Sequence, residues 1–204
     1  MAASPMLGDV PDLPSSLRRA YRMGMPAPLY YTADMVRALP DDGNRYELVY
    51  GELLVSPSPR LWHQALVGRL FLALGNYLRS HPVGLVMMSP ADISWASDVL
   101  VQPDVFVAPL AQVRTLDWTA VQDLLLVVEV LSPSTARNDR FTKRRRYQEA
   151  GVALYWIVDG EARQVEVWTP TESFPRIERE RLVWEPAGAG EPFSLELAEL
   201  FGPV

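Results

Sequence analysis

The sequence predicts a mixed α/β or α+β fold, a mixed β-sheet with helices on both faces. Three observations carry this. The run Leu124 to Leu131, LLLVVEVL, is apolar at successive positions, as in a strand covered on both sides. Leu61 to Leu78 carries the strongest helical stripe in the chain. The predicted elements also run helix, three strands, helix, strand pair, an order that builds a layered sheet-and-helix core. The 204 residues suffice for one well-buried core. At 49% apolar and 22% charged the composition is that of an ordinary globular protein. The absence of cysteine excludes a disulfide framework, a thiolate zinc site and a cysteine nucleophile.

Residues 1–28 hold five prolines and little periodicity, which predicts a loose arm; Arg18, Arg19 and Arg22 within it could touch a phosphate backbone or simply be solvated. Residues 29–204 read as one domain. Thr32 is placed to cap a helix from Ala33 to Leu39, ended by Pro40. Tyr46 to Val55, with Gly51 at its middle, reads as a hairpin. Ser58-Pro59 offers an N-cap and a first-turn proline for the next helix. In that helix Trp62, Leu66, Leu70, Leu74 and Leu78 recur at helical spacing, and His81-Pro82 stops it. Strands are expected at Gly84 to Met88 with an extension to Trp95, at Val99 to Ala108 and at Leu124 to Leu131. A second helix spans about Asp139 to Ala150 and closes on Gly151. Leu154 to Val158 and Gln164 to Trp168 form a hairpin through Asp159-Gly160. Arg176 to Trp184 adds an edge strand, and Ser194 to Phe201 a short terminal helix. The N-terminus lacks the apolar core of a signal peptide, and the longest apolar run is strand-sized. The expectation is a cytoplasmic protein with no membrane partner.

Chemistry concentrates in a few places. Glu129 interrupts the most apolar strand, where a carboxylate is costly unless something pairs with it. Asp104 follows Pro103 at the start of another apolar stretch. Acids on neighbouring strands can converge on one oxygen-loving cation, Mg²⁺ or Mn²⁺. The plain alternative is a solvated acid at a strand end. Of the 19 basic residues only Lys143 is a lysine, in a chain that uses arginine everywhere else. Asp139, Lys143 and Tyr147 share one helix stripe, which fits either an exposed ion pair or a site. His63 shares a stripe with Val67, Leu70 and Leu74 and so faces the core, as a satisfied histidine or a site residue. The net charge of −6 gives no global basic footprint. Arg137 to Arg146 nevertheless carries six cations and one acid, a face for phosphate contact through Arg140, Arg144 and Arg145 or a solvated helix face.

The blocks Gln102-Pro103-Asp104-Val105, Glu129 to Thr135 (EVLSPST), Asp139-x-x-x-Lys143-x-x-x-Tyr147 and Gly151-Val152-x-x-Tyr155-Trp156-x-x-Asp159 resemble the Uma family of putative restriction endonucleases, within the PD-(D/E)XK nuclease superfamily. Tyr46-Glu47-Leu48-x-x-Gly51-Glu52 and the following helix with His63 fit as well. The resemblance spans roughly residues 30 to 200. It implies a restriction-endonuclease-like core with an N-terminal hairpin and a C-terminal β extension, and hydrolysis of DNA phosphodiester bonds. It further implies a Mg²⁺ or Mn²⁺ held by Asp104, Glu129 and the Val130 carbonyl. Position 131, where that superfamily usually carries its lysine, is Leu131. The resemblance therefore implies that the lysine has moved to Lys143, which would orient or deprotonate a water or stabilise charge on phosphorus. Glu47 and His63 become further site candidates, with Asp139 and Tyr147 supporting Lys143. DNA is the implied partner, and the resemblance admits a homodimer. Two other readings compete: a non-catalytic nucleic-acid-binding or assembly module that keeps the fold, and a hydrolase of small phosphate esters.

Overall fold

The computed structural model describes residues 30–203. The predicted arm, with Arg18, Arg19 and Arg22, lies outside them. The described chain opens on a short helix, α1 (Ala33–Arg37), whose first turn is capped by Thr32 accepting a hydrogen bond from the Met35 amide. A hairpin follows, β1 (Arg45–Val49) and β2 (Glu52–Ser56). Its two-residue turn puts Tyr50 and Gly51 at positive φ, 54° and 75°, the pair of angles that matches the twist of the strands.

Helix α2 (Leu61–Ser80) begins two residues later than Pro59 predicts. Ser58 does not cap it; Arg60 occupies the cap position in an extended conformation without a side-chain bond. Ser58 stands between Pro57 and Pro59, and a residue before proline disfavours the helical region. The segment therefore stays extended along a cleft wall. The helix buries His63, Leu66, Val67, Leu70, Leu74 and Leu78; of the predicted stripe only Trp62 is left partly exposed, at the edge of the core.

Strand β3 (Gly84–Met88) ends where predicted, but the extension to Trp95 makes only one bridge, Ile93 with Val101. The strand expected over Val99 to Ala108 is two strands, β4 (Val99–Leu100) and β5 (Val105–Pro109), in two different sheets. Pro103 has no amide to give a ladder, and the chain changes sheet across it. A short helix, α3 (Leu110–Val113), and a 3₁₀ turn (Trp118–Ala120) lead to β6 (Leu126–Val130). A π-helical turn (Asn138–Lys143) then runs into α4 (Arg144–Glu149), which closes on Gly151 at φ 72°.

Strands β7 (Tyr155–Asp159) and β8 (Gln164–Trp168) form the expected hairpin. The predicted edge strand divides into β9 (Arg176–Glu178) and β10 (Arg181–Trp184). The terminal helix predicted from Ser194 is shorter: β11 (Phe193–Glu196) pairs with β10 first, and α5 (Leu197–Leu200) follows. Pairing with β10 satisfies the backbone while Phe193 goes into the core.

The main sheet has the order β3-β5-β6-β7-β8-β9 and is antiparallel except for the parallel β6–β7 pair. A second sheet, β2-β1-β4, stands beside it. The mixed sheet flanked by helices is the predicted fold class. Alternation along β6 decides what each face receives. Leu126, Val128 and Val130 join the core under α2, whereas Val127 and Leu131 join the core that contains Tyr147 and Tyr155. Glu129 shares its parity with Val127 and Leu131, so it is directed toward the π-turn and α4. Among the described residues no helix is long and apolar enough to cross a membrane.

Candidate active site

The sheet change at Pro103 leaves Asp104 just ahead of β5. Val105 pairs with Val128, so the register carried one step further sets Asp104 beside Glu129. Asp104 Oδ2 accepts the Val130 amide at 2.8 Å, and His63 Nε2 from α2 lies 3.2 Å from the same oxygen. Its other oxygen, Oδ1, accepts from Arg45 Nη1 at 3.0 Å. Burial, the largest single influence on Asp104, pushes its carboxyl up. The His63 hydrogen bond, the Arg45 charge and the Val130 amide outweigh burial and hold it at about 2.

Behind Asp104 sits a buried ionic network. Lys143 Nζ lies 2.8 Å from Glu47 Oε2, 3.0 Å from Glu129 Oε1 and 3.4 Å from Asp139 Oδ1, and only 2% of its side chain is exposed. Tyr147 donates its hydroxyl to Glu129 at 3.3 Å. The Gln102 amide, freed where β4 ends, donates to Glu47 Oε1 at 2.8 Å. Arg45 Nη2 also reaches Glu47, at 3.5 Å, and so bridges Glu47 to Asp104.

Burial opposes the charge on Lys143, but Glu129, Glu47 and Asp139 together hold its pKa above the ordinary lysine value. Its ammonium form is thus favoured, and it is not a proton acceptor near neutral pH. Burial raises Glu129 well above the usual carboxylate range despite Lys143, and it raises Asp139 as well. Four carboxylates (Glu47, Asp104, Glu129 and Asp139) face two permanent cations (Arg45 and Lys143). The acids outnumber the fixed cations, and the raised Glu129 and Asp139 are the groups that a further cation would help to ionise.

Above the network opens a cleft of about 780 Å³. Asp104, His63, Arg45 and Val130 line it, with Arg37 and Arg60 on its walls and Ser132, Ser134 and Thr135 at the exit of β6. Ser132 Oγ is within 3.0 Å of Ser134 Oγ and 3.1 Å of Thr135 Oγ1, so the loop presents a hydroxyl cluster.

A family model described as Uma2, putative restriction endonuclease, matches residues 33–197. The chain belongs to the Uma2 family. A crystal structure of a putative nuclease belonging to DUF820, from Anabaena variabilis ATCC 29413, shares the fold with a TM-score of 0.71 at 18% sequence identity. That similarity covers 83% of this chain and 97% of the other. Among curated proteins none matches.

Within this Uma2 fold, Asp104, Glu129, Lys143, Glu47, His63, Asp139 and Tyr147 all meet in one connected cluster. The Asp139–Lys143 pair is buried, not an exposed helix pair. The arginines singled out for phosphate contact are placed elsewhere. Arg140 is tied to Glu166 at 2.6 Å and to Asp159 at 2.9 Å. Arg144 stacks 4.5 Å over Trp168 and donates to Gln148. Arg145 pairs with Glu149. None of the three lines the cleft, whose arginines are Arg37, Arg45 and Arg60. Sequence reasoning missed these three. A signal existed for Arg45: it lies two residues before Glu47, and period-2 alternation puts both on one face of β1.

Among the described residues no set of three or more acidic or histidine side chains is spaced as a metal cage. Mg²⁺ does not require one, since it is commonly held by one or two carboxylates with waters and substrate phosphates. The all-oxygen donor set and the excess of carboxyl groups over fixed cations fit such an ion.

Proposed function

We propose that the chain is a metal-dependent endonuclease that hydrolyses DNA phosphodiester bonds. The observation that carries this is the juxtaposition of Asp104 and Glu129, brought together by the β5–β6 register and backed by more acids than fixed cations, beneath an arginine- and hydroxyl-lined cleft. Asp104 and Glu129, with the Val130 carbonyl, would hold Mg²⁺ or Mn²⁺. Such an ion, when bound, polarises a phosphodiester oxygen and acidifies a coordinated water.

The chain's own groups do the rest. Lys143 is a positioning residue: its ammonium draws Glu47, Glu129 and Asp139 together and holds Glu129 in place with Tyr147. His63 fixes Asp104 through Nε2. Its buried Nδ1 has no hydrogen-bond partner among the described residues. With the proton on Nε2, that nitrogen is an acceptor for a water or hydroxyl at the cleft wall. Arg37, Arg60 and the Ser132–Thr135 hydroxyls give a phosphate backbone donors along the cleft.

The test is nicking of supercoiled plasmid in Mg²⁺ or Mn²⁺, with RNA and a chromogenic phosphodiester as parallel substrates. Asp104→Ala and Glu129→Ala should each abolish nicking while the protein stays folded. Wild-type cutting by both variants refutes the site. Turnover of the chromogenic ester without plasmid nicking refutes the nuclease.

A further inference from the structure

We propose that Arg45 is an exchangeable counterion: its guanidinium bridges the acids in the metal-free protein and transfers to a substrate phosphate when the divalent cation binds. This rests on the metal-dependent nuclease reading above. Four features separate Arg45 from an ordinary structural ion pair. First, it spans two acids from different elements, Asp104 Oδ1 at 3.0 Å and Glu47 Oε2 at 3.5 Å, and so occupies an oxygen of the proposed metal ligand Asp104. Second, Asp104 Oδ2 is already occupied by the Val130 amide and His63, so Oδ1 is the oxygen left for a metal, and Arg45 covers it.

Third, of the two permanent cations only Arg45 has a way out. Its side chain is 23% exposed and lines the cleft, whereas Lys143 is 2% exposed behind it. Fourth, Arg45 is not fully engaged where it sits. Its buried Nε finds no hydrogen-bond partner among the described residues, as is also true of Arg146, so the guanidinium leaves this position without breaking a bond at Nε.

The electrostatics then set the order of events. A divalent cation approaching Asp104 Oδ1 meets both a competitor for that oxygen and a like charge, so Arg45 lowers cation affinity while it stays. Once displaced, a planar guanidinium at the edge of a cleft is matched to the two oxygens of a phosphodiester. Cation and DNA binding therefore reinforce one another through a single side chain.

The experiment measures Mn²⁺ affinity by calorimetry on the metal-free full chain. It also measures affinity for a short DNA duplex by fluorescence anisotropy in Ca²⁺. Arg45→Gln should bind Mn²⁺ roughly tenfold more tightly, because one charge-assisted hydrogen bond no longer competes. The same variant should lose DNA affinity several-fold. Arg45→Lys, a shorter side chain without the guanidinium's fork of donors, should fall between it and wild type. Mn²⁺ affinity in Arg45→Gln equal to or below wild type overturns the exchange. If that variant does not fold, Arg45→Lys decides alone, and unchanged Mn²⁺ affinity overturns it. Asp104→Asn separates the two ideas. Retained Mn²⁺ binding there defeats the metal-site reading itself. Lost binding there, with no gain in the Arg45 variants, defeats only the exchange.

Discussion

Replacing Lys143 with methionine removes one charge from the centre of the buried network and leaves a side chain of similar length. Glu47, Glu129 and Asp139, which had surrounded the ammonium at 2.8, 3.0 and 3.4 Å, are left beside one another without it. Their cheapest escape is to take up one proton more than the wild type holds. An ordinary glutamate has a pKa of 4.5, so neutralising it at pH 7 costs two and a half pH units, about 3 kcal/mol. Lost hydrogen bonds bring the expected destabilisation to about 3–5 kcal/mol, the range for breaking a buried ion pair. The proton argument also fixes a pH dependence. At pH 5 the same neutralisation costs under ~1 kcal/mol, so most of the penalty should vanish between pH 7 and pH 5. Urea unfolding of wild type and Lys143→Met at pH 5, 6 and 7, in EDTA, reads this directly. Adding Glu129→Gln supplies the missing neutrality and should flatten the pH dependence while restoring part of the stability. A penalty that is the same at pH 5 and pH 7 refutes the account, because it would mean that packing, not uncompensated charge, makes Lys143 necessary.

Further outcomes follow from the same geometry. Asp104, held at about 2 against an ordinary 3.8, contributes about 2 kcal/mol that is present above pH 4 and lost as pH falls toward 2. Glu129 and Asp139 are raised, so their contribution is complete below pH 4 and is lost as pH rises through their folded values. Metal-free stability should therefore peak near pH 4–5, and a flat urea midpoint from pH 4 to pH 8 contradicts this. Gly51→Ala drives a Cβ at φ +75° into the Tyr30 ring, so it should destabilise the hairpin that carries Arg45 and Glu47 by about 1–3 kcal/mol in thermal unfolding. The double variant Arg37→Gln and Arg60→Gln should lower the salt dependence of DNA affinity by about 2 in log–log slope, roughly one for each phosphate no longer neutralised. Arg144→Gln with Arg145→Gln should leave that slope unchanged, and the reverse pattern would move the DNA to the α4 face.

How far the sequence disclosed this arrangement depended on whether the signal was local. Hairpin, helices and central strand are written in period and turn chemistry, and α2 and β6 emerge with the stripes their residues dictate. The break at Pro103 was harder to read. Val99 to Ala108 is apolar on both sides of Pro103, and pairing with β1 before it and β3 after it shows that the proline divides two strands. That division is what frees the Gln102 amide for Glu47 and places Asp104. The β11 segment differs from its local pattern for the same reason, since its partner strand decides between helix and sheet. Acids stood out because a carboxylate in an apolar run is anomalous. Arginines did not, since 18 of them look alike in sequence. Local density drew attention to Arg140, Arg144 and Arg145, yet three-dimensional placement assigns the cleft to Arg37, Arg45 and Arg60.

The placement of the single lysine has a structural reason that the strand alone does not show. Leu131 shares the face of Glu129 two residues earlier, and a lysine there would rise toward the π-turn from below. Leu131 instead packs with Tyr147 and Tyr155 in the apolar cluster on that face. The π-turn delivers Asp139 and Lys143 to the same space from above, and Lys143 Nζ arrives 3.0 Å from Glu129. A cation at this point can thus be supplied from either layer. Coming from the helix, it collects Glu47 of the second sheet and Asp139 of its own turn as well as Glu129. One ammonium then ties three elements together, and for that reason it is too deeply held to serve as the mobile cation. On the proposed reading that task falls to Arg45, at the first residue of β1, where one end of the side chain is in the network and the rest faces the cleft.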